Sequence, residues 1–163
     1  MSRELYHAAQ ESLAKAFALD PASPLIKSEQ GYFLAQFDEN QKEGLKLLTA
    51  AEAAAPKDAL IRTYLADVLS VPDNRRHVDL PKAIAELRTA IRLDPGYAHP
   101  HWLLARDAIS DKQYDLAQEG IDGYLRLCPP DAVKYVKGFQ DQIAAYKKKL
   151  KEKGIPPLRS GSH

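Results

Sequence analysis

Between Lys82 and Pro95 the chain reads KAIAELRTAIRLDP, and its apolar positions fall at helical spacing. Ala83, Leu87, Ala90 and Leu93 are separated by four, three and three residues, which places them on one face of a helix. Two of the four are alanines, small enough to let a second helix approach closely. Asp94-Pro95 ends the run, because proline disfavours α geometry in the residue before it. The same pattern returns along the chain. A small residue opens it at Ala9, Gly44, Ala83 and Ala117, and a proline closes it at Pro21, Pro56, Pro95 and Pro129, both in steps of 35, 39 and 34 residues. Leu13, Leu48, Leu87 and Ile121 stand four residues after the small residue, followed three later by Ala16, Ala51, Ala90 and Tyr124.

A second set of helices is predicted between these. Pro24–Gln36, Asp58–Leu69 and Ala98–Ser110 each begin two to three residues after a proline, and each runs into polar turn residues. Ser23 and Asp58 are suited to cap the first two. The unit is helix, turn, helix, proline, about 34 residues long. Its polar and apolar faces predict an all-α chain in which stacked hairpins bury a continuous core, since one hairpin alone cannot cover both its faces.

In this unit the chain resembles the tetratricopeptide repeat, a helical hairpin with the pattern W-x2-L-G-x2-Y, A-x3-F and a final proline. Residues 98–131 carry the fullest copy: Leu104-Ala105, Tyr114, Ala117-x3-Ile121, Leu127 and Pro129. Leu65-Ala66, Ala83-x3-Leu87-x2-Ala90 and Leu93-Asp94-Pro95 make a second, and Gly31, Gly44-x3-Leu48-x2-Ala51 and Pro56 a third. The signature tryptophan position holds His101, with Trp102 one residue late. The resemblance implies a right-handed α-solenoid of antiparallel helix hairpins, a single domain over residues 1–158. Its parts would be an orphan second helix (1–21), repeats at 22–56, 57–95 and 96–130, and a capping helix at 131–153. The five residues by which the 39-residue step exceeds 34 fall in the turn 71–80 of the second repeat. Residues 159–163, RSGSH, read as an expression-tag remnant. The orphan helix reads as cut from a longer array rather than as a polar cap.

In that family, first helices line a concave groove that takes a peptide or helix of a partner. The resemblance therefore implies a non-catalytic protein–protein interaction scaffold, with partner contacts at exposed positions of those helices: Ser28, Tyr32 and Ala35; Thr63, Asp67 and Ser70; His99, Trp102, Arg106 and Ile109. Trp102 and Arg106, one turn apart, are the leading pair, since aromatics and arginine dominate binding energy at interfaces. The lysine–asparagine clamp that some members close on a carboxylate finds Ser28, Tyr32, Thr63 and Asp67 in its place, and Asp67 would repel that ligand. Arg75, Arg76 and His77 in the long turn are a secondary candidate for an acidic partner. The alternative is a structural, self-assembling segment of a larger array or complex, associating through the orphan helix.

Composition narrows the classes further. The formal net charge is +1, so no global field points to nucleic acid or membrane. The lysines at 147, 148, 149, 151 and 153 read as a solvated helix end, and stacking aromatics are not interleaved with them beyond Tyr146. Neither a signal-peptide core nor a membrane-length apolar run is present in the sequence. One cysteine, Cys128, excludes an internal disulfide and fits a reducing compartment, so a cytoplasmic location is expected, or a periplasmic one if a leader was removed. His99 and His101 are two apart on a helix and diverge, so no metal site is expected with His77. Nucleophile motifs, phosphate-cradling glycine loops and HExxH are absent from the sequence. The expectation is therefore no enzyme activity, no cofactor and no small-molecule substrate.

Overall fold

A computed structural model describes residues 3–37, 40–70 and 78–153; the long turn at 71–77 and the tail from 154 onward, with the presumed tag, lie outside them. The described residues form eight α-helices and no strand. They divide into two compact units, Met1–Val78 and Asp79–His163.

Unit 1 holds α1 (Arg3–Leu19), α2 (Pro24–Phe37), α3 (Gln41–Ala54) and α4 (Ala59–Ser70). Local chemistry sets their ends. Asp20 Oδ1 accepts from the backbone N–H groups of Ala22 and Ser23 at 3.1 and 3.0 Å, making the tight turn at Asp20-Pro21. Asp58 caps α4, its Oδ1 accepting from Leu60 N at 2.9 Å and Ile61 N at 3.1 Å. Helices α2 and α3 close into a hairpin at two glycines. A Cβ added at Gly31 would sit 2.8 Å from the Gly44 carbonyl oxygen, and one at Gly44 would sit 2.5 Å from the Gly31 oxygen and 2.7 Å from the Ala35 Cβ. No larger residue fits without forcing the helices apart. Around this contact Ala35, Leu48, Ala51, Ile61 and Leu65 are fully buried.

Helix α1 differs from its sequence counterparts. Leu48 and Ala51 are fully buried, whereas Leu13 and Ala16 at the same register are only half-buried and no described residue of α1 is buried. Helix α1 packs against α2. Its Leu5 and Leu19 are 63% and 87% exposed.

Unit 2 holds α5 (Leu80–Leu93), α6 (Ala98–Ser110), α7 (Tyr114–Leu127) and, after a 3-10 turn at Pro130–Ala132, α8 (Val133–Glu152). Helix α5 begins at Leu80, inside the stretch expected to be turn, because Asp79 caps it through Lys82 N at 3.1 Å and Pro81 fits its first turn. Asp94 Oδ1 accepts from Gly96 N at 3.0 Å, repeating the Asp-Pro turn that ends α1. Helices α6 and α7 close as α2 and α3 do: a Cβ at Gly120 would lie 2.7 Å from Ala105 N and 2.8 Å from the His101 oxygen. Their connection uses Lys112 at φ 60°, the left-handed region where glycine is the usual occupant. Lys112 N and Gln113 N donate back to the carbonyls of Ile109 and Ala108 at 3.0 and 2.8 Å, which holds the turn.

The core of unit 2 runs through Ala105, Ala108, Ala117, Ile121, Val136 and Ile143, with Leu87 and Ala90 of α5 also at zero exposure. Burying several aliphatic side chains at about 1.5–3 kcal/mol each is what offsets the entropy of ordering the helices. Ala90→Arg drives a charge into a site with no room for it. It is expected to lower stability by about 3 kcal/mol or more. Chemical denaturation followed by circular dichroism checks this, and an unchanged midpoint would contradict the packing described.

Candidate functional site

The expected contact residues divide between the units. In unit 1 the structure brings Tyr32 and Asp67 together and joins them to residues not singled out from sequence. Tyr32 Oη donates to Asp67 Oδ2 at 2.8 Å, and Gln36 Nε2 donates to the same oxygen at 3.3 Å. The Tyr32 ring stacks on Tyr64 with centroids 4.4 Å apart, and Tyr64 Oη donates to Glu29 Oε1 at 2.8 Å. The result is a ladder between α2 and α4, two tyrosines each anchored by a carboxylate on the opposite helix. Both hydrogen-bonded pairs are 35 residues apart. That is the first step of the sequence pattern, so the register itself was the signal that pairs Glu29 with Tyr64.

Several positions expected to be exposed are not. Ser28 and Thr63 have no exposure, and Asp67, Ser70, Ala35 and Ile109 are buried. Small hydroxyl side chains can satisfy themselves locally: Ser28 Oγ donates to the Leu25 carbonyl at 2.7 Å, and Thr63 Oγ1 donates to that of Ala59 at 2.6 Å. A residue so bonded can be packed over at little cost. Ser28 and Thr63 are therefore packing residues, and the Asp67 carboxylate serves to orient Tyr32.

In unit 2 the structure gathers His99, Trp102 and Arg106 into one cluster. The His99 ring lies parallel to the indole, with centroids 6.2 Å apart and planes 6° apart. The Arg106 guanidinium carbon sits 5.7 Å from the indole centroid, within cation–π reach. Arg106 Nε also donates to Asp107 Oδ1 at 2.7 Å. The Asp107 side chain is only 1% exposed, so this pairing compensates a buried carboxylate. Trp102 is not wholly free for a partner. Its Nε1 donates to the Tyr135 carbonyl at 3.3 Å, and its ring meets Phe139 of α8 at 5.7 Å. Helix α8 thus backs one side of the indole, while His99 remains exposed and Trp102 and Arg106 half-buried. Beside them Tyr135 and Val133 are 59% and 45% exposed.

Arg75, Arg76 and His77 lie outside the described residues. Among the described residues, no three His, Cys, Asp or Glu side chains converge to hold a metal ion, and no helix is long and apolar enough to cross a membrane.

His101 occupies the register position where the repeat pattern has tryptophan. It points away from the Trp102 cluster and packs on α7, where a Cβ at residue 123 would overlap its ring; Gly123 makes the room. It is 6% exposed. Desolvation lowers its pKa from the ordinary 6.5 and nearby Arg126 lowers it further, against a hydrogen bond with the Pro95 backbone that raises it.

This imidazole is neutral when folded, so protonation favours the unfolded chain. Its contribution to stability is complete above pH 6.5 and declines as pH falls from there toward the lowered folded value. Arg126 faces the same imidazole, and Arg88, Arg92 and Glu119 line the pocket beside it. Denaturant midpoints at pH 7.5 and pH 5 are expected to differ in the wild type and to differ less in His101→Phe. Equal pH dependence in both would contradict the assignment.

Comparison with known proteins returns no matching family model and no similar curated protein.

Proposed function

We propose that this chain is a non-catalytic protein–protein interaction scaffold of the tetratricopeptide type, its hairpins being repeats of a right-handed α-solenoid in one domain. Three features support that architecture. Glycine closes α2 on α3 at the registered Gly31 and Gly44, and Gly120, three residues past the registered Ala117, closes α7 on Ala105 of α6. Leu48, Leu87 and Ile121, equivalent in the pattern, all have zero exposure. Pairs 35 residues apart meet side by side on α2 and α4.

The observation that carries the function is the cluster of His99, Trp102 and Arg106. A half-buried tryptophan, held by α8 on one side and flanked by a cation and an imidazole, is a preorganised anchor of the kind that dominates peptide and helix recognition. The Tyr32–Tyr64 ladder offers unit 1 a second aromatic surface with its hydroxyls already oriented. A protein or peptide partner is the proposed ligand, and a reducing, cytoplasmic setting suits the single half-buried thiol of Cys128.

The alternative, self-assembly, has its own observation in the half-open face of α1, with Leu5 and Leu19 exposed. Sedimentation separates the two, since self-assembly requires a weight that rises with concentration.

Trp102→Ala combined with Arg106→Ala is expected to weaken partner binding at least roughly thirtyfold, the loss of about 2 kcal/mol typical of a hot spot. Proteins retained by the wild type and lost by the double variant identify the partner, whose affinity is then measured directly. His99→Glu, at an exposed position, guards against a folding artefact. Unchanged affinity in both variants, with helicity preserved, would contradict the proposal.

A further inference from the structure

Exposed apolar side chains gather at one edge of unit 1. Leu5 and Leu19 of α1 are 63% and 87% exposed, and Leu25 and Phe37 of α2 are 45% and 47% exposed, whereas α3 and α4 expose no large hydrophobic side chain. The Tyr6 and Phe33 rings meet at 5.2 Å, so the start of α1 lies beside the end of α2. Leu5 and Phe37 therefore mark one end of this edge, and Leu19 and Leu25 the other. Exposed apolar residues so grouped mark an interaction surface.

The pattern on α1 says what covers it. Leu5, Ala9, Ser12, Ala16 and Leu19 follow at steps of four, three, four and three, which places them on one face of the helix. None carries a charge. Ser12 Oγ donates to the Ala8 carbonyl at 2.8 Å, so the hydroxyl can be covered at little cost. The row is large, small, small, small, large, and reads the same in both directions from Ser12. A second copy turned end for end about Ser12 sets Leu5 against Leu19 and Ala9 against Ala16. An isologous two-fold contact requires that self-complementarity. The small residues in the middle let two backbones approach, as they do inside the hairpins.

Charge agrees with the antiparallel arrangement. Glu11 and Lys15 flank the row, exposed and 3.9 Å apart within one chain. In the antiparallel pair this flank of one copy meets the same flank of the other. Glu11 then stands two residues along the axis from the partner's Lys15, about 3 Å at the helical rise. The order along the seam is Lys15, Glu11, Glu11, Lys15, taken from alternate copies, so each carboxylate has its own ammonium and the partner's. A parallel pair would set the two flanks on opposite sides and lose both contacts between copies.

We propose that α1 is the seam of a homodimer, in which two copies of this chain pair antiparallel about a two-fold axis at Ser12. Such a pair closes at two copies and builds no array. It uses no residue of the Trp102 cluster, so it goes beyond the partner-binding reading and fails or stands separately from it.

Sedimentation equilibrium of the whole chain tests it. The weight is expected to rise with concentration to that of two chains and to stop there. Leu19→Glu, at a position 87% exposed, is expected to weaken association at least about tenfold with helicity preserved. Ser12→Cys and Ala14→Cys, each combined with Cys128→Ser, read the geometry. Under mild oxidation the first is expected to give a disulfide-linked pair, because residue 12 meets itself at the axis. The second, exposed on the far side of α1, is expected to give none. A weight of one chain at every concentration overturns the proposal, and so does growth beyond two chains. Undiminished association of Leu19→Glu, or equal cross-linking at residues 12 and 14, overturns it as well.

Discussion

Two helices can share a core only if their backbones come close enough for side chains to interlock. In this protein that closeness is set by residues with little or no side chain. Gly31 meets Gly44 in one hairpin and Gly120 meets Ala105 in another, at distances that exclude an added Cβ. Everything else follows from that approach. The leucines and isoleucines one turn away from the contacts become fully buried, and the opposite edges of α2, α4 and α6 are left to carry tyrosine, tryptophan and charge.

The backbone turns reinforce the same arrangement. Asp20 and Asp94 each fold a carboxylate onto the chain beyond a proline, so the stop signal comes with its own hydrogen bonds. Lys112 shows the opposite economy: a left-handed residue with a side chain is tolerated because the α6–α7 hairpin over-determines the turn.

Helix positions were legible because apolar periodicity, aspartate and proline are local signals: α2, α4 and α6 lie where spacing and caps put them. The start of α5 was missed by two residues because Asp79 and Leu80 fall in the expected turn 71–80 when they are in fact a cap and the first residue of the helix. Side-chain exposure was harder to read. Ser28 and Thr63 look like surface residues by type, yet a bond to the preceding turn lets each be buried. Tyr64 and Glu29 were overlooked although the 35-residue step relates them as it relates Tyr32 and Asp67. The role of His101 was hidden for a different reason: its neutrality depends on burial against α7, where Gly123 makes the room, and on Arg126, which come together only in the folded unit.

The account rests on glycine-mediated closure of the hairpins, and one measurement addresses that contact without any partner. In solution NMR of the whole chain, the α-protons of Gly31 and Gly44 should show a strong cross-relaxation peak, since each glycine lies against the other's carbonyl. Absence of that peak, with both residues assigned and helical, would contradict the hairpin and with it the repeat reading built on it.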